Sequence, residues 1–218
     1  MTPNDKMKSI VFTVTTALIF FCWTKLTDLI KENLFFGIPL SAVISLGTYR
    51  LVLKLVEVVI LKISLIKKWI YGNTYLEGKW IGFYIGVDEK PRFYLEYYEQ
   101  DLEGVLIRGW AYNENGTFKG TWVTDKVYIN KQKGTITYTY ETDMINSTNR
   151  NQGLASFDFV RNNKKQAPSK MIGFSSDIFM SKKLKSFERK LNKEEIKLDD
   201  SEVLILVKEF YEEHVKFI

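Results

Sequence analysis

Reactive side chains are scarce in this 218-residue chain, which has one cysteine, Cys22, and one histidine, His214. A single cysteine forms no intramolecular disulfide and supplies no cysteine-based zinc site. A single histidine leaves His-dependent triads and multi-histidine metal centres without their parts. His214 reads as a surface residue of a terminal helix. The sequence also lacks a nucleophile motif, a glycine-rich phosphate loop and a metal-ligand cluster. Glu77, Glu96, Glu103 and Asp158 are carboxylates, but no spacing brings two of them together. No set of catalytic roles assembles, so the expectation is a binding protein, not an enzyme, with no cofactor.

An excess of one charge is missing from most of the chain. The first 70 residues hold nine Lys/Arg against four Asp/Glu, and the remainder balances at 22 of each. The net charge of +5 therefore belongs to the N-terminal part. The rest carries no nucleic-acid footprint, and no polymeric nucleic acid is expected as a partner. Basic residues beside apolar segments suit anionic membrane lipid.

Two runs lack charge altogether, sixteen residues from Ser9 to Thr24 and seventeen from Asn33 to Tyr49. Each approaches the ~20 residues that cross a hydrocarbon core, and flanking lysines can snorkel. We expect a two-helix transmembrane anchor over residues 1–70, with spans at about 9–25 and about 34–52. The first run has no small-x-small cleavage site and a second run follows at once, which separates it from a signal peptide. Lys and Arg are denser outside the connector than in it, placing both termini in the cytoplasm. The second helix is expected to continue to about residue 70, since residues 51–70 hold no Gly or Pro before Gly72. Along it Arg50, Lys54, Glu57, Leu61, Ser64 and Lys68 recur as one stripe at helical spacing. That stripe reads either as the wet edge of an interfacial helix or as an assembly seam using Arg50, Lys54, Glu57 and Ser64.

From Leu76 the texture changes to short runs of Val, Ile, Thr, Tyr, Phe and Trp between turn residues. Strands are expected at 76–85, 92–100, 105–112, 118–124, 127–130, 135–141, 154–161 and 171–175. Residues 183–191 fit either a helix or a last strand. A terminal helix capped by Asp200 or Ser201 should run through Lys216, with Val203, Leu206, Val207, Phe210 and His214 on one face. The fold class is thus a membrane α-helical hairpin plus an all-β domain of residues 71–218. That domain is a small up-and-down antiparallel barrel of about eight strands, or a sandwich, with a C-terminal helix. Such a barrel can hold one small ligand. Candidate contacts are Arg108, Trp110 and Tyr112 on one strand face, Tyr138 and Tyr140 on another, and Tyr84, which shares a face with Trp80 and Gly82. Rings stack on bases and an Arg fork suits phosphate. The plainer alternative makes these rings barrel filling, with Val105, Ile107 and Gly109 inward and Arg108 outside.

The opening Gly78-Lys79-Trp80 is similar to the Gly-x-Trp of the lipocalins' first strand, where the indole closes one barrel end. Two apolar spans are followed by Leu76-Glu77-Gly78-Lys79-Trp80-Ile81-Gly82-Phe83-Tyr84 and then by Gly109-Trp110-Ala111-Tyr112-Asn113-Glu114-Asn115-Gly116. In that order of parts the chain resembles the two-transmembrane, β-strand-rich effectors of CBASS anti-phage operons. The resemblance implies a lipocalin-like barrel that binds a cyclic dinucleotide supplied by a partner nucleotidyltransferase. It further implies homo-oligomerisation, damage to the lipid of the bacterial inner membrane, and abortive infection. The rival reading is a membrane-tethered carrier or sensor of a small apolar ligand. The pocket lining separates the two, because phosphates call for Arg or Lys inside and a lipid carrier calls for a dry interior.

Overall fold

A computed structural model describes residues 3–32, 34–145, 151–178 and 182–215. The chain divides into two compact units, Met1–Tyr71 and Gly72–Ile218.

The first unit is a helical hairpin. Helices α1 (Pro3–Glu32) and α2 (Leu34–Lys62) pack against each other, and α3 (Ser64–Tyr71) follows. Lys6 Nζ donates to the carbonyl oxygens of Ile70 at 3.0 Å and Trp69 at 3.3 Å, tying the start of the hairpin to its end. Met7, Val11 and Thr15 are buried on α1. On α2 the less exposed edge is Gly37, Ser41, Ser45, Thr48 and Val52, small residues that let helices approach closely. The hydroxyls of Ser41, Ser45 and Thr48 donate to carbonyls about one turn back, at 2.8–2.9 Å, so their polarity is absorbed by the helix itself. Elsewhere the hairpin exposes large apolar side chains, among them Phe12, Phe20, Phe21, Phe35, Val43 and Leu46.

Among the described residues, no helix is long and apolar enough to cross a membrane. The spans expected at 9–25 and 34–52 are therefore not supported. Thr13, Thr15 and Thr16 dilute the first uncharged run; Pro39, Ser41, Ser45 and Thr48 dilute the second, and Arg50 and Lys54 follow it closely. The second helix also does not continue unbroken to residue 70. It stops at Lys62 and restarts at Ser64, with the amides of Ile66 and Lys67 both turning to the Ile63 carbonyl. Ile63 and Ser64 are poorer helix formers than Leu or Lys. Arg50 and Lys54 are exposed and Glu57 half-buried on α2, whereas Ser64 lies beyond the break on α3. Leu61 falls outside the described side chains.

The second unit is a closed antiparallel barrel in which each strand pairs with its sequence neighbour. Its strands are β1 (Gly78–Ile85), β2 (Pro91–Gln100), β3 (Val105–Tyr112), β4 (Phe118–Asn130), β5 (Thr135–Met144), β6 (Asn151–Val160), β7 (Lys170–Asp177) and β8 (Lys183–Lys190). Pairing of Phe83 with Phe187 and of Gly82 with Glu188 joins β1 to β8 and closes the ring. Two segments expected as separate strands, 118–124 and 127–130, are one strand, β4. Its register against β5 shifts between Thr124 and Lys126, so Asp125 is the extra residue of a β-bulge. Residues 183–190, open between helix and strand in the sequence, form the eighth strand. The count of eight holds because these two differences offset.

Helix α4 (Asp200–His214) lies outside the barrel. Asp199 caps it by accepting from the Ser201 and Glu202 amides, and Glu202 returns a bond to the Asp199 amide. The helix buries Val203, Val207 and Phe210 with the outward Ile81, Phe83, Phe93, Leu95 and Phe187 of β1, β2 and β8. His214 is half-buried, with its ring centroid 4.5 Å from that of Phe210 and Nδ1 2.9 Å from the Phe210 carbonyl oxygen. Lys216, the expected end of this helix, lies outside the described residues.

One end of the barrel is dry. Trp80 is fully buried there, donating from its indole nitrogen to the Leu76 carbonyl at 2.8 Å. Around it pack Tyr98, Ile107, Ile136, Phe157 and Met171. Gln100 accepts from the Leu76 amide at 2.8 Å and donates to the Thr74 carbonyl at 3.0 Å, fastening the segment before β1 across that end.

Candidate functional site

Strand alternation turns Tyr84 of β1, Tyr94 and Glu96 of β2, Trp122 of β4, Tyr138 and Tyr140 of β5 and Asp177 of β7 into the barrel. They line a cavity of about 200 Å³ above the dry end. Three inward glycines make room for its walls. A Cβ at Gly82, Gly109 or Gly153 would overlap the rings of Tyr94, Trp122 or Tyr140 respectively. Each ring thus lies down on bare backbone and is held there. Ring centroids are 5.6 Å apart for Tyr94 and Trp122, 6.2 Å for Tyr84 and Tyr94, and 6.2 Å for Tyr138 and Tyr140. The lining mixes aromatic rings with polar side chains, Thr142, Asn151, Gln152, Ser175, Asp177 and Ser186 beside Glu96.

Two carboxyl groups meet at the floor. Glu188 is fully buried and Glu96 almost so. Glu188 accepts from the Tyr98 hydroxyl at 2.9 Å and from the Tyr94 hydroxyl at 3.3 Å, one bond to each oxygen. Glu96 Oε1 accepts from the Tyr138 hydroxyl at 3.3 Å. Glu96 Oε2 is fully buried, and the Glu188 carboxyl, the Trp122 indole and the Tyr98 hydroxyl all interact with the Glu96 carboxyl. Burial pushes the carboxyl of Glu96 up to about 8, opposed by the Tyr138 hydroxyl and the Trp122 indole beside it. Burial pushes Glu188 well above the usual carboxylate range, and the Glu96 charge pushes it further. The two sit in one site, so their protons leave as those of a pair. Burial and the two carboxylates also raise the phenols of Tyr94, Tyr98 and Tyr138 far above their ordinary value. Tyr140, nearer the mouth, is pushed up to about 12 by burial first. These hydroxyls are therefore donors at every physiological pH.

Tyr84, Tyr138 and Tyr140 come together in the cavity. Arg108, Trp110 and Tyr112 face outward, because Ile107, Gly109 and Ala111 take the inward positions of β3. Arg108 pairs with Glu99 on the barrel surface, and both side chains are about half exposed. Trp110 packs edge-on against Tyr97, with centroids 5.2 Å apart. Tyr112 is half-buried and packs against Phe118. An outer groove over β3, β4 and β5 does hold Arg108 and Trp110 together, but Glu141 and Asp143 share it. A lone guanidinium facing three carboxylates is a poor phosphate site.

Sequence reasoning missed Tyr94, Trp122 and the pairing of Glu96 with Glu188. The signal for Glu96 was there, a carboxylate on one strand face between Tyr94 and Tyr98. Its partner was hidden, because Glu188 lies in the stretch whose strand character was undecided. Among the described residues, no Lys or Arg lines the cavity, and no group of three or more His, Cys, Asp or Glu is placed to hold a metal. No family model matches the chain, no curated protein matches it, and no solved structure matches it.

Proposed function

We propose that this protein is a ligand receptor whose barrel takes a compact, uncharged or cationic organic molecule, and whose helical hairpin delivers the response at a bilayer. One observation carries the ligand half: a closed barrel holds a cavity of about 200 Å³ walled by aromatic rings and polar side chains, with Glu96 and Asp177 and no Lys or Arg among the described lining residues.

The lining fits neither ligand expected from the sequence well. A cyclic dinucleotide would bring flat bases suited to the rings, but its phosphates would meet Glu96 and Asp177 rather than a cation. A purely apolar guest would meet the polar side chains of Asn151, Gln152 and Asp177 in the lining. The bilayer half rests on the exposed Phe12, Phe20, Phe21, Phe35, Val43 and Leu46 of the hairpin, not on a membrane span. Ligand-driven assembly of hairpins on lipid is the output that the resemblance implies, and it requires tighter ligand binding by the assembled state.

Thermal melting of the full chain against a panel of amines, nucleosides, cyclic dinucleotides and fatty acids tests the ligand half. Amines or nucleosides should raise Tm, and Tyr140→Ala should remove the rise. A rise given by cyclic dinucleotides alone would overturn the ligand class. Dye leakage from anionic vesicles, measured with and without the hit, tests the output; no leakage in either condition would refute it.

A further inference from the structure

We propose that α3 is an interfacial helix that docks on an anionic bilayer surface, with Leu65 and Trp69 entering the headgroup layer and Lys62 and Lys68 meeting its negative charge. This rests on the reading of the hairpin as the unit that works at a bilayer, and it names the contact and the lipid. Helical spacing sorts the eight residues of α3 into four rows of two, each pair one turn apart. Ile66 with Ile70 and Lys67 with Tyr71 form the covered side, where Lys67, Ile70 and Tyr71 are buried. Ser64 and Lys68 are exposed. Between Ser64–Lys68 and Ile66–Ile70 stand Leu65 and Trp69, which are 74 % and 64 % exposed. Two large apolar side chains side by side in water mark a contact surface. Trp69 is also held in place: Lys6 Nζ donates to the carbonyl oxygens of Trp69 and Ile70 and lies 5.7 Å from the centroid of the indole.

Charge decides what covers this face. The Lys6 contact brings the start of α1 to α3. At that end of the hairpin Lys6, Lys8, Lys62, Lys67 and Lys68 stand against Asp5, the one acid among residues 1–8 and 62–71. Lys8, Lys62 and Lys68 are exposed. A second copy of the chain would bring the same lysines, setting like charge against like. An anionic lipid surface answers every feature instead. Its headgroups attract lysines, by about fivefold in affinity for each one near the surface. An indole settles at the headgroup level, and a leucine beside it reaches the acyl boundary. The lysine stems let the apolar row sink while their ammonium groups stay among the headgroups. A helix lying in the plane of the interface needs no spanning length, so two turns suffice.

The experiment is flotation of the full chain with two kinds of vesicle, phosphatidylcholine alone and phosphatidylcholine mixed with phosphatidylglycerol. The chain should partition at least about tenfold more strongly onto the mixed vesicles, and added salt should narrow the gap. Lys62→Gln with Lys68→Gln should remove most of that preference and leave binding to the neutral vesicles as it was. Leu65→Ala with Trp69→Ala should weaken binding to both vesicles by at least about tenfold. Lipids brominated just below the headgroup should quench a share of the fluorescence that is missing from Trp69→Phe, a reading that needs no other variant to fold. Equal partition onto both vesicles, by the parent and the variants alike, would overturn the docking of α3 while leaving the hairpin a bilayer unit. Absence of flotation with either vesicle would overturn both. A lipid-free dimer that Leu65→Ala with Trp69→Ala dissolves would assign the face to a second copy and overturn the proposal as well.

Discussion

Raising the pH should weaken the barrel, through the carboxyl pair at its core. Glu96 has its folded value raised to about 8 from 4.5 by burial, and Glu188 is raised in the same direction. Below the unfolded value both states are protonated and the pair costs nothing. Between that value and the folded one, the unfolded chain releases its proton and the native barrel keeps it, so stability falls as pH rises. One retained proton gives a slope of about 1.4 kcal/mol per pH unit, or about 4 kcal/mol from about pH 5 to about pH 8. Such a loss is a large share of the 5–15 kcal/mol typical of a domain. The groups shifted the other way do not compete in this window. Asp88, Glu114 and Asp199 are lowered by their hydrogen-bond partners Arg92, Lys90 and Ser201, so their contribution is lost only as pH falls below the ordinary carboxylate range. Urea unfolding at a series of pH values, followed by tryptophan fluorescence, measures the effect through the buried Trp80 and the cavity's Trp122. Glu96→Gln should flatten the slope by about one proton. A stability that is constant or rises from about pH 5 to about pH 8, or a variant with the parent slope, would refute the reasoning.

Three further outcomes follow from the same geometry. Gly109→Ala should cost about 1–3 kcal/mol, because its Cβ displaces the Trp122 ring; near-ultraviolet circular dichroism would register the moved indole, and an unchanged spectrum would contradict the cradle. Arg108→Ala removes only an exposed pair with Glu99, so chemical denaturation should register less than about 1 kcal/mol, and ligand-induced melting shifts should be untouched. Phe210→Ala empties the space between α4 and Phe83 and should cost about 3–5 kcal/mol in the same assay; a loss under about 1 kcal/mol would mean that α4 is not docked as described.

Much of the β unit was legible because period-two alternation and turn chemistry are local signals. The turn at Asn113–Gly116 is an example, with Asn113 accepting from the Asn115 and Thr117 amides and Gly116 at φ 85°. The inward face of β5, Ile136, Tyr138 and Tyr140, could be read for the same reason. What failed was local too. Asp125-Lys126 looks like a turn, but β4 absorbs it as a bulge. The spacing of Lys183, Lys185 and Glu188 suits a helix as well as a strand, and only pairing with β1 and β7 selects the strand. The face of β3 could not be fixed alone, since both faces carry apolar residues. Gly109 decides it by making room for Trp122 from the neighbouring strand. The Glu96–Glu188 pair was out of reach because it joins β2 to β8, and no local pattern carries that distance. The membrane spans misled for a different reason: uncharged length stood in for apolarity, although Thr interrupts the first run and Pro, Ser and Thr the second.

The pairing that closes the ring also sets when the barrel can form. Phe83 and Phe187 meet across about a hundred residues of sequence, a separation that slows folding because loop-closure entropy is lost before the contact repays it. On the ribosome β1 emerges well before β8 and waits for it. Until then its outer edge offers unpaired amides and carbonyls to any strand nearby. The Ile81 and Phe83 side of β1 stays uncovered for longer still, because α4 follows β8. A nascent chain halted before residue 183 therefore carries an open edge and a bare apolar face together, and two such chains are well matched to pair with each other.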